Sequence, residues 1–143
     1  MTFDTSVTSV TAELDTLEEG LMSLKGKNIM IVEDVKSNFQ LLVAYLSPLG
    51  ANIIHESFGL PAIETMKARN DINLILMDLL LPDIHGLEVA KKIREFDNVV
   101  PIIAQTAFAM YNDKKNCIDA GCDDYIAKPI RRNDFLEIVT KYC

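Results

Sequence analysis

The chain is 143 residues long, which predicts one domain, and at 49% hydrophobic and 24% charged residues it can bury a real core. A net charge of -7 and a pI near 4.7 oppose a nucleic-acid or membrane-surface role, because phosphate binding relies on basic patches. The short basic clusters Lys91-Lys92, Lys114-Lys115 and Arg131-Arg132 sit in helix-like segments and read as solvated faces.

Three cysteines, Cys117, Cys122 and Cys143, form no paired C-x-x-C motif, which opposes both a disulfide framework and a zinc site. The N-terminus lacks a basic n-region followed by an apolar h-region, and no apolar stretch approaches the length that spans a bilayer. A cytoplasmic location is the default expectation, with no membrane insertion and no nucleic acid bound directly.

Residues 1–26 differ in character from the rest of the chain. Their start is rich in Thr and Ser, yet Val7, Val10, Leu14, Leu17, Leu21 and Leu24 recur at spacings of three and four. That is a short seam of a and d positions, fewer than three heptads long. It reads as an N-terminal tail, a helix lying on the domain, or a linker helix that dimerises.

From residue 27 the chain alternates between two periods. Ile29 to Val32 is a continuous apolar run, as are Asn52 to Ile54, Leu74 to Met77, Ile102 to Ala104 and, more weakly, Tyr125 to Ala127. Runs that are apolar on both faces suit parallel strands covered by helices on each side. Between them lie stripes of helical period: Phe39, Leu42, Val43 and Leu46, ended by Pro48 and Gly50; then Ile63 and Met66, with Pro61 in the first turn. Leu87, Ala90 and Ile93 make a third, Ala109 to Ala120 a fourth stopped by Gly121, and Phe135, Leu136 and Val139 the last. Pro101 falls at a strand start, before the ladder needs its donor. The alternation predicts an α/β fold: a doubly wound five-stranded parallel sheet with helices on both faces and right-handed crossovers.

Within this pattern Asp78 is anomalous, because it ends the most apolar run in the chain. An unpaired buried carboxylate would cost several kcal/mol. Ligands of open parallel sheets bind beyond the carboxyl ends of the strands, so Asp78 is expected to leave the apolar layer and enter that crevice. Glu33-Asp34 end the first strand, Gln105-Thr106-Ala107 the fourth, and Lys128-Pro129 follow the fifth. In the strand order 2-1-3-4-5, three carboxylates, a hydroxyl and an ammonium meet in one pocket. Three carboxylates repel, and a divalent cation removes the conflict. Oxygen-only ligands with room for water and phosphate suit Mg²⁺. A carboxylate can also accept a phosphoryl group as an aspartyl phosphate, and the central Asp78 is the expected nucleophile. Lys128 and the metal would neutralise the outer oxygens, and Thr106 would donate to one of them.

The stretches "IMIVEDVKSN", "LILMDLLLPDIHG", "PIIAQTAFA" and "GCDDYIAKPI" together resemble the response-regulator receiver domain, the phosphoacceptor module of two-component signalling. The likeness covers about Lys27 to Cys143 and implies a flavodoxin-like fold with strand order 2-1-3-4-5. It implies a phosphohistidine donor, either a histidine kinase or a histidine phosphotransfer protein, and a downstream partner or output domain. By matching position, Asp34, Asp78 and the Leu80 carbonyl would hold Mg²⁺ directly, and Glu33 mostly through a coordinated water. Glu33 stands where many receivers have a second aspartate; glutamate keeps the charge and lengthens the arm. Lys128 would pair with a phosphoryl oxygen, and Thr106 and Tyr125 would move together as the switch. Leu80 and Phe108 should flank the entrance to the phosphoryl group; both are bulky and apolar, so the aspartyl phosphate is expected to be long-lived. The helical seam and the "AQTAFA" style suggest a piece of a hybrid histidine kinase over a stand-alone receiver.

Plainer readings exist for each residue alone. Asp34 suits a helix cap near Val35, Thr106 a backbone-bonded hydroxyl, Lys128 an exposed loop lysine, Tyr125 simple packing, and Asp83 the loop after Pro82. His55 and His85 have no partner spacing for a metal and read as structural or surface. Two other functions compete. A Mg²⁺-dependent phosphatase with an aspartate nucleophile is opposed by Leu80, which stands where such enzymes carry a second acid. A receiver-like binding module that is never phosphorylated is opposed by the intact set Glu33, Asp34, Asp78, Thr106 and Lys128. A nucleotide-binding domain is opposed by the lack of a G-x-G-x-x-G or P-loop motif.

Overall fold

The computed structural model describes residues 23–107 and 111–143. Among these, strands and helices alternate as β1 (Asn28–Val32), α1 (Lys36–Leu46), β2 (Asn52–Glu56), α2 (Gly59–Ala68), β3 (Leu74–Asp78), α3 (Gly86–Arg94), β4 (Ile102–Thr106), α4 (Tyr111–Asp119), β5 (Asp124–Ala127) and α5 (Arg132–Tyr142). A 3-10 turn, Ser47–Leu49, closes α1, and Gly50 follows it at φ 83, where a side chain would be strained. Every strand pair is parallel, in the order β2-β1-β3-β4-β5.

The strand periodicity builds two cores. Side chains on a strand alternate between faces. Met30, Val32, Ile75, Met77, Ile102 and Ala104 therefore lie on one side, under Ala62 and Met66 of α2, Val89 and Ile93 of α3, and Cys117 of α4. Ile29, Ile31, Leu74, Leu76, Ile103 and Ile126 lie on the other, under Leu42 and Leu46 of α1 and Phe135 and Val139 of α5. All of β3 is buried, which explains its unbroken apolar run. The edge strand β2 has no fully buried residue and exposes Asn52 and His55. Pro101 directly precedes β4, where its carbonyl still accepts from Ile75 N–H at 2.9 Å.

Most of the N-terminal seam lies outside the described residues. Its last member, Leu24, is buried in the core under α1 and α5, and its N–H donates to Leu49 O at 3.0 Å. The start of the fourth predicted helix, Ala109, and Phe108 also fall outside them. The basic clusters are solvated as expected: Lys91, Lys92, Lys114, Lys115, Arg131 and Arg132 are all exposed.

The turn from β3 to α3 is held tightly against the end of β3. Gly86 N–H donates to Leu79 O at 2.8 Å. A Cβ on Gly86 would fall on the Asp78 carbonyl oxygen and lie 2.8 Å from Leu79 Cα. Both neighbours are backbone and have little room to yield. Gly86→Ala is therefore expected to destabilise the fold by about 1–3 kcal/mol, the scale of overpacking. Urea unfolding measures it, and an unchanged midpoint would contradict this packing.

Candidate functional site

Four side chains on the α1/α5 side of the sheet carry the core rows up to and just past the carboxyl ends of the strands. Glu33 continues the row of Ile29 and Ile31, Asp78 that of Leu74 and Leu76, and Lys128 comes two residues after Ile126. Glu33 N–H donates to Glu56 O at 3.0 Å, prolonging β1 by one residue, and Lys128 N–H donates to Thr106 O at 2.7 Å. Gln105, the fourth, stands opposite Asp78 in the β3–β4 register. These positions form the crevice at the carboxyl rim where strand order reverses between β1 and β3.

Oxygens of Glu33, Asp34 and Asp78 all lie within 4.8 Å of one another. Lys128 Nζ sits between two of them, 3.3 Å from Glu33 Oε2 and 3.4 Å from Asp78 Oδ1. Glu33 Oε1 accepts from Val35 N–H at 3.1 Å and from Asn38 Nδ2 at 3.5 Å. Asp78 Oδ1 accepts from Leu80 N–H at 3.3 Å. Glu33 is wholly buried and Asp78 is 5% exposed, whereas Asp34 is exposed. The helix-cap reading of Asp34 fails. Val35 precedes α1 without a side-chain cap bond, and Glu33 takes the Val35 N–H.

The carboxylates compete, and burial sharpens the competition. Burial pushes the Glu33 pKa above the ordinary range, and the neighbouring Asp78 charge pushes it further. The Lys128 ammonium and the Val35 N–H oppose this without cancelling it. Three ionised carboxylates against one ammonium leave two negative charges in excess. A divalent cation with oxygen ligands balances that excess, so the residues present fit one.

Thr106 and Tyr125 belong to the opposite face. Thr106 continues the row of Ile102 and Ala104, and Ala104 is the register partner of Tyr125. Thr106 is buried, and half-buried Tyr125 packs on the α2/α3/α4 core with Lys114 Nζ 5.9 Å from its ring centre. A cleft of about 350 Å³ opens between the two groups, lined by Asp34, Asp78, Leu80, Gln105, Thr106 and Lys128. Leu80 is 60% exposed at its rim.

The site has supports that sequence reasoning places only loosely. Asp83 does more than fill a loop: its carboxylate accepts from Gly59 and Leu60 N–H at 2.9 and 2.8 Å, capping α2 from the β3–α3 turn. Slight burial raises its pKa, but the N–H groups of Leu60 and Gly59, with its own and that of Ile84, outweigh this and hold it below the ordinary range. His85 caps α3 through Nδ1, 3.1 Å from Leu87 N, and His55 stacks on Phe39 with Nε2 2.8 Å from Glu33 O. Both histidines are structural, as their spacing implies. Cys117 and Cys122 are buried free thiols, and burial pushes Cys122 up to about 12. Gln105 escapes sequence reasoning because a lone amide in an apolar strand carries no motif. Its one signal is its polarity next to Thr106.

An open parallel sheet with an acidic cluster and one lysine at its switch point defines a class, the doubly wound α/β domain with a charged rim site. Comparison with known proteins places the chain within that class. The sequence pattern of the response regulator receiver domain matches residues 29–140. The polar-differentiation response regulator DivK of Brucella anthropi is 38% identical over 118 residues, covering 81% of this chain and 95% of DivK. The receiver domain of a sensor histidine kinase from Pseudomonas aeruginosa, crystallised with a magnesium ion in its active-site cleft, superposes with a TM-score of 0.75. It is 34% identical and is matched over 82% of this chain and 97% of its own. The receiver domain of Saccharomyces cerevisiae Ssk1, solved with the histidine phosphotransfer protein Ypd1, gives 0.77 at 30% identity, over 83% and 90%. The chain belongs to the response regulator receiver domain family of two-component signalling.

The raised Glu33 pKa makes stability depend on pH in a definite direction. Folded Glu33 holds its proton above the pH at which unfolded Glu33 releases it. Its contribution is fully present below the ordinary carboxylate pKa and is lost as pH rises through the raised value. Without divalent cations, Glu33→Gln is therefore expected to melt higher than the wild type, by a margin that widens as pH rises from the ordinary carboxylate pKa through the raised one. Thermal melts across that range measure it, and a margin constant with pH would contradict the assignment.

Proposed function

We propose that this receiver takes a phosphoryl group from a phosphohistidine donor onto Asp78, with Mg²⁺, and thereby changes the partners that one face binds. The observation that carries the reading is the Lys128 ammonium held against both Glu33 and Asp78 inside a cluster of three carboxylates. Asp78 supplies the nucleophile: a carboxylate oxygen bonds phosphorus as the bond from phosphorus to the donor histidine nitrogen breaks. Lys128 pairs with an outer phosphoryl oxygen, and the Thr106 hydroxyl donates to another.

Glu33, Asp34, Asp78 and the Leu80 carbonyl would hold the metal. When bound, it supplies positive charge to the transferring group. The related Pseudomonas aeruginosa receiver, with its magnesium ion, supports that choice. Thr106 and Tyr125, on the face away from Glu33 and Lys128, carry the change to α4 and β5 as local charge biasing a two-state element.

A histidine kinase or a histidine phosphotransfer protein is the expected donor, as the Ssk1–Ypd1 pair illustrates. Downstream, a protein partner or output domain reads the switched face. Among the described residues no helix is long and apolar enough to cross a membrane, and we assign the domain to the cytoplasm, where such donors deliver phosphoryl groups. Turnover of external phosphoesters is not expected, because Leu80 offers no second acid. Residues 1–26 are read as an N-terminal tail or a linker helix that dimerises, with Leu24 taken up by the domain core; if they dimerise, removing residues 1–22 should halve the sedimenting mass, and an unchanged oligomeric state would remove the dimer reading.

Acetyl phosphate with Mg²⁺ should add one phosphoryl mass to the wild type, visible by intact mass, and nothing to Asp78→Asn. Labelling of the variant, or none of the wild type, would contradict the reading. Leu80 and Phe108 give no polar group to orient an attacking water. Leu80→Asn with Phe108→Glu is expected to accelerate phosphate loss, and an unchanged half-life would show that these side chains do not set it.

A further inference from the structure

Gln105 is the one member of the rim row that the phosphoryl chemistry leaves unused. It is 1% exposed, and neither its Nε2 nor its Oε1 has a hydrogen-bond partner among the described residues. A buried amide left unpaired has lost its bonds to water and gained nothing in return. Leucine or methionine would fill similar volume without that loss. An orphaned amide at a charged rim therefore points to a partner that reaches it in another state of the site.

The strand register identifies the partner. Gln105 is the Cα partner of Asp78 on one side and of Ile126 on the other. It shares the face of Ile103, which packs under α1 and α5, as do the rows that end in Asp78 and Lys128. Lys128 is tied to the β4 end through its N–H bond to Thr106 O at 2.7 Å. Its Nζ nevertheless reaches Glu33, just past β1, and Asp78, the last residue of β3. Adjacent strands lie about 4.8 Å apart, and β4 stands between β5 and β3. The lysine stem must cross the end of β4, over Gln105. An ammonium has three N–H donors; Glu33 Oε2 accepts one, and Asp78 Oδ1 lies in ion-pair range at 3.4 Å, which leaves a further N–H for Gln105.

We propose that Gln105 is a positioning residue for Lys128, its Oε1 accepting the third ammonium N–H and holding the lysine over the acceptor when Glu33 or Asp78 turns its charge to another partner. This rests on the phosphoacceptor reading of the same site. The sheet supplies the rigid footing: Gln105 lies within a fully buried strand, and its carbonyl accepts from Leu79 N–H at 3.2 Å.

Gln105→Met keeps the volume and removes the acceptor. It is expected to melt at or above the wild-type temperature. Its phosphoryl uptake from phosphoramidate should slow about tenfold, the scale of one hydrogen bond to a charged group. In a Lys128→Ala background the same substitution should slow nothing further, because the group it acts through is gone. A merely structural role would slow uptake equally in both backgrounds, and that result, or a wild-type rate in Gln105→Met, would overturn the proposal. A crystal structure grown with Mg²⁺ alone reads the contact without phosphoryl transfer. Gln105 Oε1 within about 3.2 Å of Lys128 Nζ is expected, and an amide bonded only to water would overturn it. A wild type that takes up no phosphoryl group would end the phosphoacceptor reading and leave the crystal structure to decide the lysine contact.

Discussion

The site depends on one ammonium placed between two buried carboxylates. Lys128 lies 3.3 Å from Glu33 and 3.4 Å from Asp78, and both acids extend the apolar rows under α1 and α5. Taking such charges from water costs several kcal/mol per ion after relaxation, so the pairing offsets a penalty and adds little net stability. A third carboxylate, Asp34, is brought close and left exposed. The cluster is short of positive charge, and a divalent cation of the kind seen in the related Pseudomonas aeruginosa receiver would balance it.

The sheet keeps two tasks apart by the alternation of its strands. Glu33, Asp78, Gln105 and Lys128 extend rows facing α1 and α5, while Thr106 and Tyr125 extend rows facing α2, α3 and α4. Asp78 therefore lies next to, but not on, the face that carries Thr106 and Tyr125. Thr106 joins them physically: it comes directly after Gln105 in β4, and its carbonyl receives the Lys128 N–H. The β3–α3 turn is fixed on the same rim by Gly86 and by Asp83, which caps α2. Close packing of this kind would pass a small shift at Asp78 on to the neighbouring helices without unfolding the core.

Much of this is legible in the residues. The five apolar runs and the helical stripes between them identify the alternation because each obeys a single period, and Asp78, Glu33-Asp34, Thr106 and Lys128 stand out as polar groups at strand ends. Strand order is not legible from periodicity, since it depends on how crossovers pack; it comes through the family resemblance. The direction of each rim side chain is also hidden. Only the register shows that Gln105 shares a face with Asp78. Capping is obscured for the same reason: Asp34 is the natural cap by position, yet the longer arm of Glu33 folds back to take the Val35 N–H. Asp83 caps a helix whose first residue, Gly59, is 24 positions earlier, a contact that sequence neighbours do not reveal.

The claim beneath the whole account is that clustered carboxylates with too little positive charge make a divalent cation site. Isothermal titration of Mg²⁺ into the wild type and into Asp34→Asn tests it most directly. The account predicts saturable one-site binding by the wild type, weakened at least about tenfold in Asp34→Asn, a loss of roughly 1.4 kcal/mol. Equal binding by the two proteins, or none by the wild type, would contradict it.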